Sequence, residues 1–189
     1  MTARRSTRPR RRELRRGLVV TEGRTEAQYL DLLKAELRET VKVHVKVVSA
    51  GGEPRRVLEK ARSLIDEARR RDTDYDWCCI VVDVDDHGAL ESVIRDAGDI
   101  LVVVSNPCIE LWLVWHDSDF GQHVTPGDLV GEVARRSLCQ GKKLAPTFPV
   151  TAHSAAAARA HRADPDLGFG RVGPNPSSAM PALIELMNG

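Results

Sequence analysis

Two apolar runs without a polar face constrain the fold more than any other feature of this sequence. Trp77–Val82 and Ile100–Val104 have the length of strands, and neither alternates with polar residues. Such strands are typical of a parallel sheet that helices cover on both faces. Segments with helical spacing separate the runs along the chain. The sequence therefore predicts an α/β fold with a Rossmann-like, mostly parallel sheet.

The remaining elements follow from periodicity and from Pro and Gly positions. The predicted strands are Gly17–Thr21, residues 41–48, Trp77–Val82 and Ile100–Val104, which together form a four-stranded sheet. Helices are predicted after Glu26, from Pro54, over about 89–97, over Cys108–His116, and near 126–138, 151–163 and 182–187. Asn106 is a candidate N-cap, with Pro107 at the first helical position. Residues 164–178 are expected to be irregular.

Charge divides the chain of 189 residues, whose formal net charge is only +1. Residues 1–16 hold eight arginines and one acid, which leaves 20 basic and 26 acidic residues in the rest. We therefore expect a flexible basic arm at 1–16 and a single acidic domain at 17–189. The domain has a core at about 17–116 and a small helical extension at about 117–189. An arm of this kind either contacts nucleic-acid phosphates or remains a solvated tail.

Hydropathy and cysteine usage indicate the class of protein. No stretch approaches the roughly 20 apolar residues of a membrane span, so no membrane partner is predicted. The four cysteines show no CxxC spacing, and three of them lie in apolar runs. Buried free thiols in a reducing cytoplasm are the expected state.

Acidic residues follow three of the predicted strands. Glu22 follows the first strand, Asp83 and Asp85 follow the third, and Glu110 opens the helix after the fourth. Ligands of doubly wound sheets bind outside the carboxyl ends of the strands, so these side chains are expected at one edge. Carboxylate oxygens without a His/Cys cluster favour Mg²⁺ or Mn²⁺. Glu26 is either a further ligand or a contact to the helix N-terminus.

These segments resemble the RloB-like family, a group with a Toprim domain related to OLD-type nucleases. The similarity covers about residues 17–187. The blocks that carry it are Glu22-Gly23-Arg24-Thr25-Glu26, Asp83-Val84-Asp85-Asp86-His87, Ser105-Asn106-Pro107-Cys108-Ile109-Glu110-Leu111-Trp112 and Asn175-Pro176-Ser177-Ser178.

The resemblance implies a metal-dependent endonuclease that acts on DNA or RNA in bacterial restriction-linked or anti-phage defence. It implies Glu22 as the catalytic acid/base, Asp83 and Asp85 as Mg²⁺ ligands, and Glu110 as a further site residue. Lys142, in a basic segment, either neutralises phosphate oxygens or, like Lys143, is a solvated loop charge. A partner protein encoded nearby, such as an ATPase, is a candidate activator.

Three other functions compete with this interpretation. A phosphatase of the Asp-x-Asp type normally carries its motif on the first strand, whereas here it follows the third. A topoisomerase needs a nucleophilic tyrosine from a further domain, and neither Tyr29 nor Tyr75 has that setting. A non-catalytic module that binds nucleic acid or a partner is the alternative from a different class. Metal-dependent cleavage discriminates it from a nuclease.

Overall fold

The computed structural model describes residues 15–38, 43–84, 90–141 and 143–189. The strands are β1 (Arg15–Thr21), β2 (Val43–Ser49), β3 (Trp77–Asp83), β4 (Leu101–Asn106), β5 (Cys139–Gln140), β6 (Lys143–Leu144) and β7 (Ser177–Ser178). The helices are α1 (Arg24–Glu36), α2 (Pro54–Arg70), α3 (Leu90–Asp96), α4 (Ile109–Asp117), α5 (Pro126–Arg135), α6 (His153–Ala163) and α7 (Met180–Asn188). A 3₁₀ helix, Val150–Ala152, precedes α6.

The main sheet confirms the predicted α/β class. Its strand order is β2-β1-β3-β4-β7, and the first four strands run parallel. The prediction of four strands was wrong, because the main sheet has five. The fifth, β7, is an antiparallel edge strand within residues 164–178, which were expected to be irregular. β7 consists of two serines, so it lacks the alternation of apolar and polar residues by which a strand is recognised in a sequence. The two serines are held by pairing with β4 and by a 2.9 Å hydrogen bond between the Ser105 and Ser178 hydroxyls.

Helices cover both faces of the sheet, as strands without a polar side require. One face packs under α2 and α3, where Leu18, Val20 and Ile80 meet Val57 and Val93. The other face packs against α1, α4 and α7 in a larger core that continues into the C-terminal helices. All seven residues of β3 are buried, so this strand forms the centre of the fold.

The start of α4 corrects one local prediction. Asn106 does not cap this helix: it is the last residue of β4, and its side-chain amide donates to the Gly173 carbonyl at 2.8 Å. The N-cap is Cys108, and Pro107 precedes it after a cis peptide bond. A side chain already bonded to the C-terminal segment is not available for capping.

The thiols lie where the apolar runs of the sequence predict them. All four cysteines are free, and Cys78, Cys79 and Cys108 are buried. Burial raises the pKa of the Cys78 thiol to about 12, so it stays protonated at neutral pH.

None of the helices in the described ranges combines the length and the hydropathy that crossing a membrane demands.

A buried histidine on α4 makes stability depend on pH. His116 packs edge-on against Tyr29 and Trp112 with ring centroids 5.2 and 5.1 Å away, and its Nδ1 lies 2.9 Å from the Trp112 carbonyl. Burial lowers the pKa of His116 to about 4. In the unfolded chain the imidazole protonates near its ordinary pKa of about 6.5. The unfolded state therefore binds the extra proton between these values, and stability falls as the pH falls.

Because of His116, we expect the free energy of unfolding to fall by about 3 kcal/mol as the pH falls from about 6.5 to 4. Urea unfolding across that range measures the loss. His116→Phe should flatten the pH dependence because phenylalanine fills the site without titrating. His161→Gln, on an exposed histidine of α6, is the control that should retain it. Equal slopes for the wild type and His116→Phe would contradict the assignment.

Candidate carboxylate site

A cleft of about 780 Å³ opens at the carboxyl edge of the parallel strands. The ends of β1, β2 and β3, the first turns of α1 and α4, and β6 form its walls. Four acidic and two cationic side chains line it: Glu22, Glu26, Asp83, Glu110, Arg24 and Lys143. The strand-end carboxylates of the described residues therefore come together as the sequence predicts.

Glu22 is fixed by backbone hydrogen bonds on both sides. Its amide donates to the Val81 carbonyl of β3 at 3.1 Å, and the Gly51 amide donates to its carbonyl at 3.0 Å. The carboxylate reaches the end of β3, where Oε2 accepts from the Asp83 amide at 3.4 Å. Glu22 and Asp83, which are 61 residues apart, thus contact each other directly at the base of the cleft.

In the turn between β1 and α1, Gly23 lies close against the Glu26 carboxylate. The Gly23 amide donates to Glu26 Oε1 at 2.9 Å, and a Cβ at position 23 would lie 2.7 Å from Glu26 Oε2. The buried Thr21 hydroxyl donates to the Gly23 carbonyl at 2.7 Å and closes the turn. Glu26 therefore satisfies a free amide at the helix start, which is the alternative role considered for it. Its role as a metal ligand stays a prediction.

Asp83 is the most perturbed carboxyl group of the cleft. Burial raises its pKa well above the ordinary range, and the negative charges of Glu26, Glu110 and Glu22 raise it further. A hydrogen bond with the Ile109 backbone opposes these effects. Among the described residues, no group donates to its buried Oδ1. The surroundings of Asp83 therefore favour either a bound proton or a positive partner.

The remaining predicted site residues divide into two groups. Glu110, in the first turn of α4, is half-buried and lines the cleft as expected. Asp85 and Lys142 lie outside the described residues, so their predicted roles stay predictions. The neighbouring Lys143 lines the cleft from the β5–β6 hairpin.

The sequence interpretation did not identify two parts of the cleft wall. One is the loop Ser49–Gly52 after β2, in which Gly51 and Gly52 have φ angles of 69° and 98°. Its Gly-Gly turn directly after a strand was a usable signal. The other is Gln28, whose Oε1 accepts from the Leu144 amide at 3.1 Å and ties the hairpin to α1. That contact spans 116 residues and has no local signature.

The donor set of this cleft fits a hard divalent cation. All four acidic side chains offer oxygen, which Mg²⁺ and Mn²⁺ prefer, and Asp83 Oδ1 is a buried oxygen in need of a partner. Within the described ranges, no three acidic, His or Cys side chains already surround one point as ligands. Glu22 and Asp83 would hold the cation, together with Asp85 from the segment that follows β3.

The Asn-Pro-Ser-Ser block near the C-terminus has a structural role. The Asn175 side chain accepts from the Val124 amide at 3.2 Å and donates to the Val124 carbonyl at 2.8 Å. Ser177 and Ser178 form β7 on the outer side of β4. The Asn175 contacts therefore join two parts of the C-terminal extension, and β7 attaches the extension to β4.

Comparison with known proteins identifies the family of the chain. No curated protein and no solved structure matches it. The sequence model of the family described as RloB-like protein matches residues 17–187. This range contains the whole described sheet except the first two residues of β1, and it includes every residue that lines the cleft. The chain therefore belongs to the RloB-like protein family.

Proposed function

We propose that this protein is a Mg²⁺-dependent nuclease of the Toprim type, related to OLD-type nucleases, that cleaves nucleic-acid phosphodiesters. The observation that carries the proposal is the group of four carboxylates in one cleft, among them a buried Asp83 oxygen with no hydrogen bond to any described residue. A buried carboxylate among three others is costly unless a proton or a cation compensates it. A divalent cation would offset this cost, and the same cation would bind the oxygens of a substrate phosphate.

Each residue has a role in this proposal. When bound, Mg²⁺ would polarise a phosphate oxygen and lower the pKa of a water molecule. Asp83, Asp85 and Glu22 would hold the cation, and Glu22, whose position is fixed by three hydrogen bonds, would also transfer the proton as acid/base. Glu110 completes the acidic wall. Lys143 of β6, and Lys142 next to it in the sequence, would neutralise the phosphate oxygens.

The cellular setting is part of the same proposal. The family resemblance implies an association with bacterial restriction and anti-phage loci, so the expected setting is the cytoplasm and the expected target is DNA or RNA. A protein encoded nearby, such as an ATPase, is the candidate activator. The buried free thiols suit a reducing compartment.

A cleavage assay tests the activity. Purified protein is incubated with single- and double-stranded DNA and RNA in Mg²⁺, Mn²⁺ or EDTA. Cleavage in either metal and none in EDTA is the expected result. Metal-independent binding of the same substrates without cleavage, also in the presence of the candidate activator, would favour a non-catalytic module.

The basic N-terminal segment gives a separate prediction. Arg15 and Arg16 belong to β1, so the part of the predicted arm outside the described residues is 1–14. Deleting residues 2–14 should weaken nucleic-acid binding and flatten its salt dependence. The log–log slope should fall by about 0.9 for each phosphate of duplex DNA that the segment neutralises. Binding titrations across a salt series measure this slope, and an unchanged slope would identify a solvated tail.

A further inference from the structure

Three cationic side chains of the β2–α2 unit lie exposed with no ion pair to any described residue. They are Lys46 on β2 and Arg56 and Lys60 on α2, and we call them the basic strip. Many other cations of the described chain are paired. Arg55, Arg136 and Arg159, for example, each contact a carboxylate. Arg38 and Arg70 also lack an ion pair to a described residue, so what distinguishes the strip is its position beside the cleft, on a domain whose sequence is acidic.

Lys46 occupies a part of the sheet that no described helix covers. Val43 and Val45 are buried on the α1 side of β2, whereas the alternating residues His44 and Lys46 are exposed on the other side. Lys46 stands beside Leu18 of β1, which is buried in the core under α2. Lys46 therefore borders α2 on the open side of that helix.

Arg56 and Lys60 lie on the side of α2 that faces this uncovered strand. Arg55 donates to Asp96 and Ser92, and Arg62 donates to the Asp96 carbonyl, so their side of α2 faces α3. Arg56 and Lys60 are displaced from Arg55 by about 100–140° around the helix axis. Because α2 packs over β1 and β3, the side away from α3 points toward β2.

The strip continues into the carboxylate cleft. The Arg56 side chain passes over Gly52, where a Cβ would lie 3.3 Å from Arg56 Cδ, and Gly52 lines the cleft. Lys60 lies one helical turn farther from the cleft. Lys46 lies three residues before the end of β2, about 10 Å below the edge. The three cations therefore lead away from the cleft along one side of α2.

The acids beside the strip do not cancel its charge. Glu53 is the exposed N-cap of α2, and Glu59 is an exposed neighbour of Lys60. Neither forms an ion pair with a strip cation in the described part of the chain. Glu67, farther along α2, pairs with Arg71. Three cations against two nearby carboxylates leave the strip with a net positive charge.

From this arrangement we infer that the basic strip binds the sugar-phosphate backbone of the nucleic acid whose scissile phosphate occupies the cleft. This inference rests on the proposed nuclease function and adds the path of the substrate beyond the cut site. A nucleic-acid strand bound in this way would place one phosphate at the metal site of the cleft and the following phosphates beside the strip cations. Such contacts carry no base readout, so the strip predicts binding that is independent of sequence.

The test compares two triple variants with the same change in charge. The strip variant is Lys46→Gln/Arg56→Gln/Lys60→Gln. The control variant is Arg38→Gln/Arg70→Gln/Arg95→Gln, which removes three exposed cations elsewhere on the described surface. Fluorescence anisotropy follows binding of labelled single- and double-stranded DNA and RNA by the full-length chain, in EDTA, over about 50–200 mM KCl.

We expect the strip variant to show a log–log salt slope that is smaller by about 2 to 3 units on duplex DNA, and to bind at least about tenfold more weakly near 0.1 M salt. The slope of the control variant should change by less than about one unit. Equal effects of the two variants would overturn the inference, because they would report only total charge. Absence of nucleic-acid binding by the wild type, or binding of anionic vesicles instead, would overturn it as well.

The outcome is independent of catalysis because no metal is present during binding. A chain that binds through the strip but never cleaves in Mg²⁺ or Mn²⁺ would contradict the proposed nuclease and leave the strip as a nucleic-acid surface. A chain that cleaves normally with all three strip cations removed, and with unchanged affinity, would contradict the strip alone. Far-ultraviolet circular dichroism of both variants verifies that these exposed substitutions leave the fold intact.

Discussion

Glu22→Gln and Asp83→Asn are each expected to abolish Mg²⁺-dependent phosphodiester cleavage while the fold stays intact. Removing an acid/base group costs about 10²–10⁴-fold in rate, and Glu22→Gln removes it without a change in shape. Asp83→Asn removes a negative charge from the position where the cleft gathers carboxylates, so the cation is held more weakly. Initial cleavage rates over a Mg²⁺ series measure both effects.

A matched control separates the site from the general loss of acidic charge. Glu36→Gln, on an exposed residue at the end of α1, makes the same chemical change as Glu22→Gln away from the cleft. Its rate should stay close to that of the wild type. Cleavage at the wild-type rate by both site variants would refute the catalytic assignment and would point to a different centre or to a contaminating nuclease.

In the absence of metal, Asp83→Asn should raise the melting temperature. The folded protein raises the pKa of Asp83 through burial and through three neighbouring carboxylates. A carboxyl group whose pKa is raised by folding costs no stability below its ordinary pKa. Its cost grows as the pH rises above about 4 toward the raised pKa. Asparagine does not ionise, so the variant should gain most at neutral pH, by about 2–4 °C for each kcal/mol relieved.

Mg²⁺ should act in the opposite direction and favour the wild type over Asp83→Asn. A ligand that binds only the folded state stabilises it, so the wild type should gain more melting temperature from Mg²⁺ than Asp83→Asn does. Calorimetric scans at pH 5 and pH 7, each with Mg²⁺ and with EDTA, compare the melting temperatures of the wild type and Asp83→Asn in four conditions. A variant that melts below the wild type in EDTA at both pH values would show that charge repulsion at Asp83 is not the dominant effect.

Much of the site could be predicted because its residues follow strands with an unmistakable pattern. β3 is apolar up to its last residue, Asp83, and β1 ends one residue before Glu22. Parallel strands that are neighbours bring their carboxyl ends to one edge, so the local pattern sufficed to place these side chains together. The contact between Glu22 and the Asp83 amide follows from that topology.

Other features depend on tertiary contacts that leave no local signal. The edge strand β7 consists of two serines, and its register is set by β4. Gln28 lines the cleft and binds the backbone of a hairpin 116 residues later. Asn106 has the residue type of an N-cap, but its amide is bonded to Gly173. In all these cases, contacts with residues distant in the sequence override local preferences.

The most direct test of the account is whether the cleft binds a divalent cation through Glu22 and Asp83. Electron paramagnetic resonance of free Mn²⁺, titrated with protein, reports binding without any need for substrate or an activating partner. The wild type and Glu36→Gln should remove Mn²⁺ from solution equally. Glu22→Gln and Asp83→Asn should bind it at least about tenfold more weakly, because changing even a residue that only supports a metal ligand typically costs about 10–100-fold in affinity. Equal Mn²⁺ binding by Asp83→Asn and the wild type would contradict a metal site in this cleft.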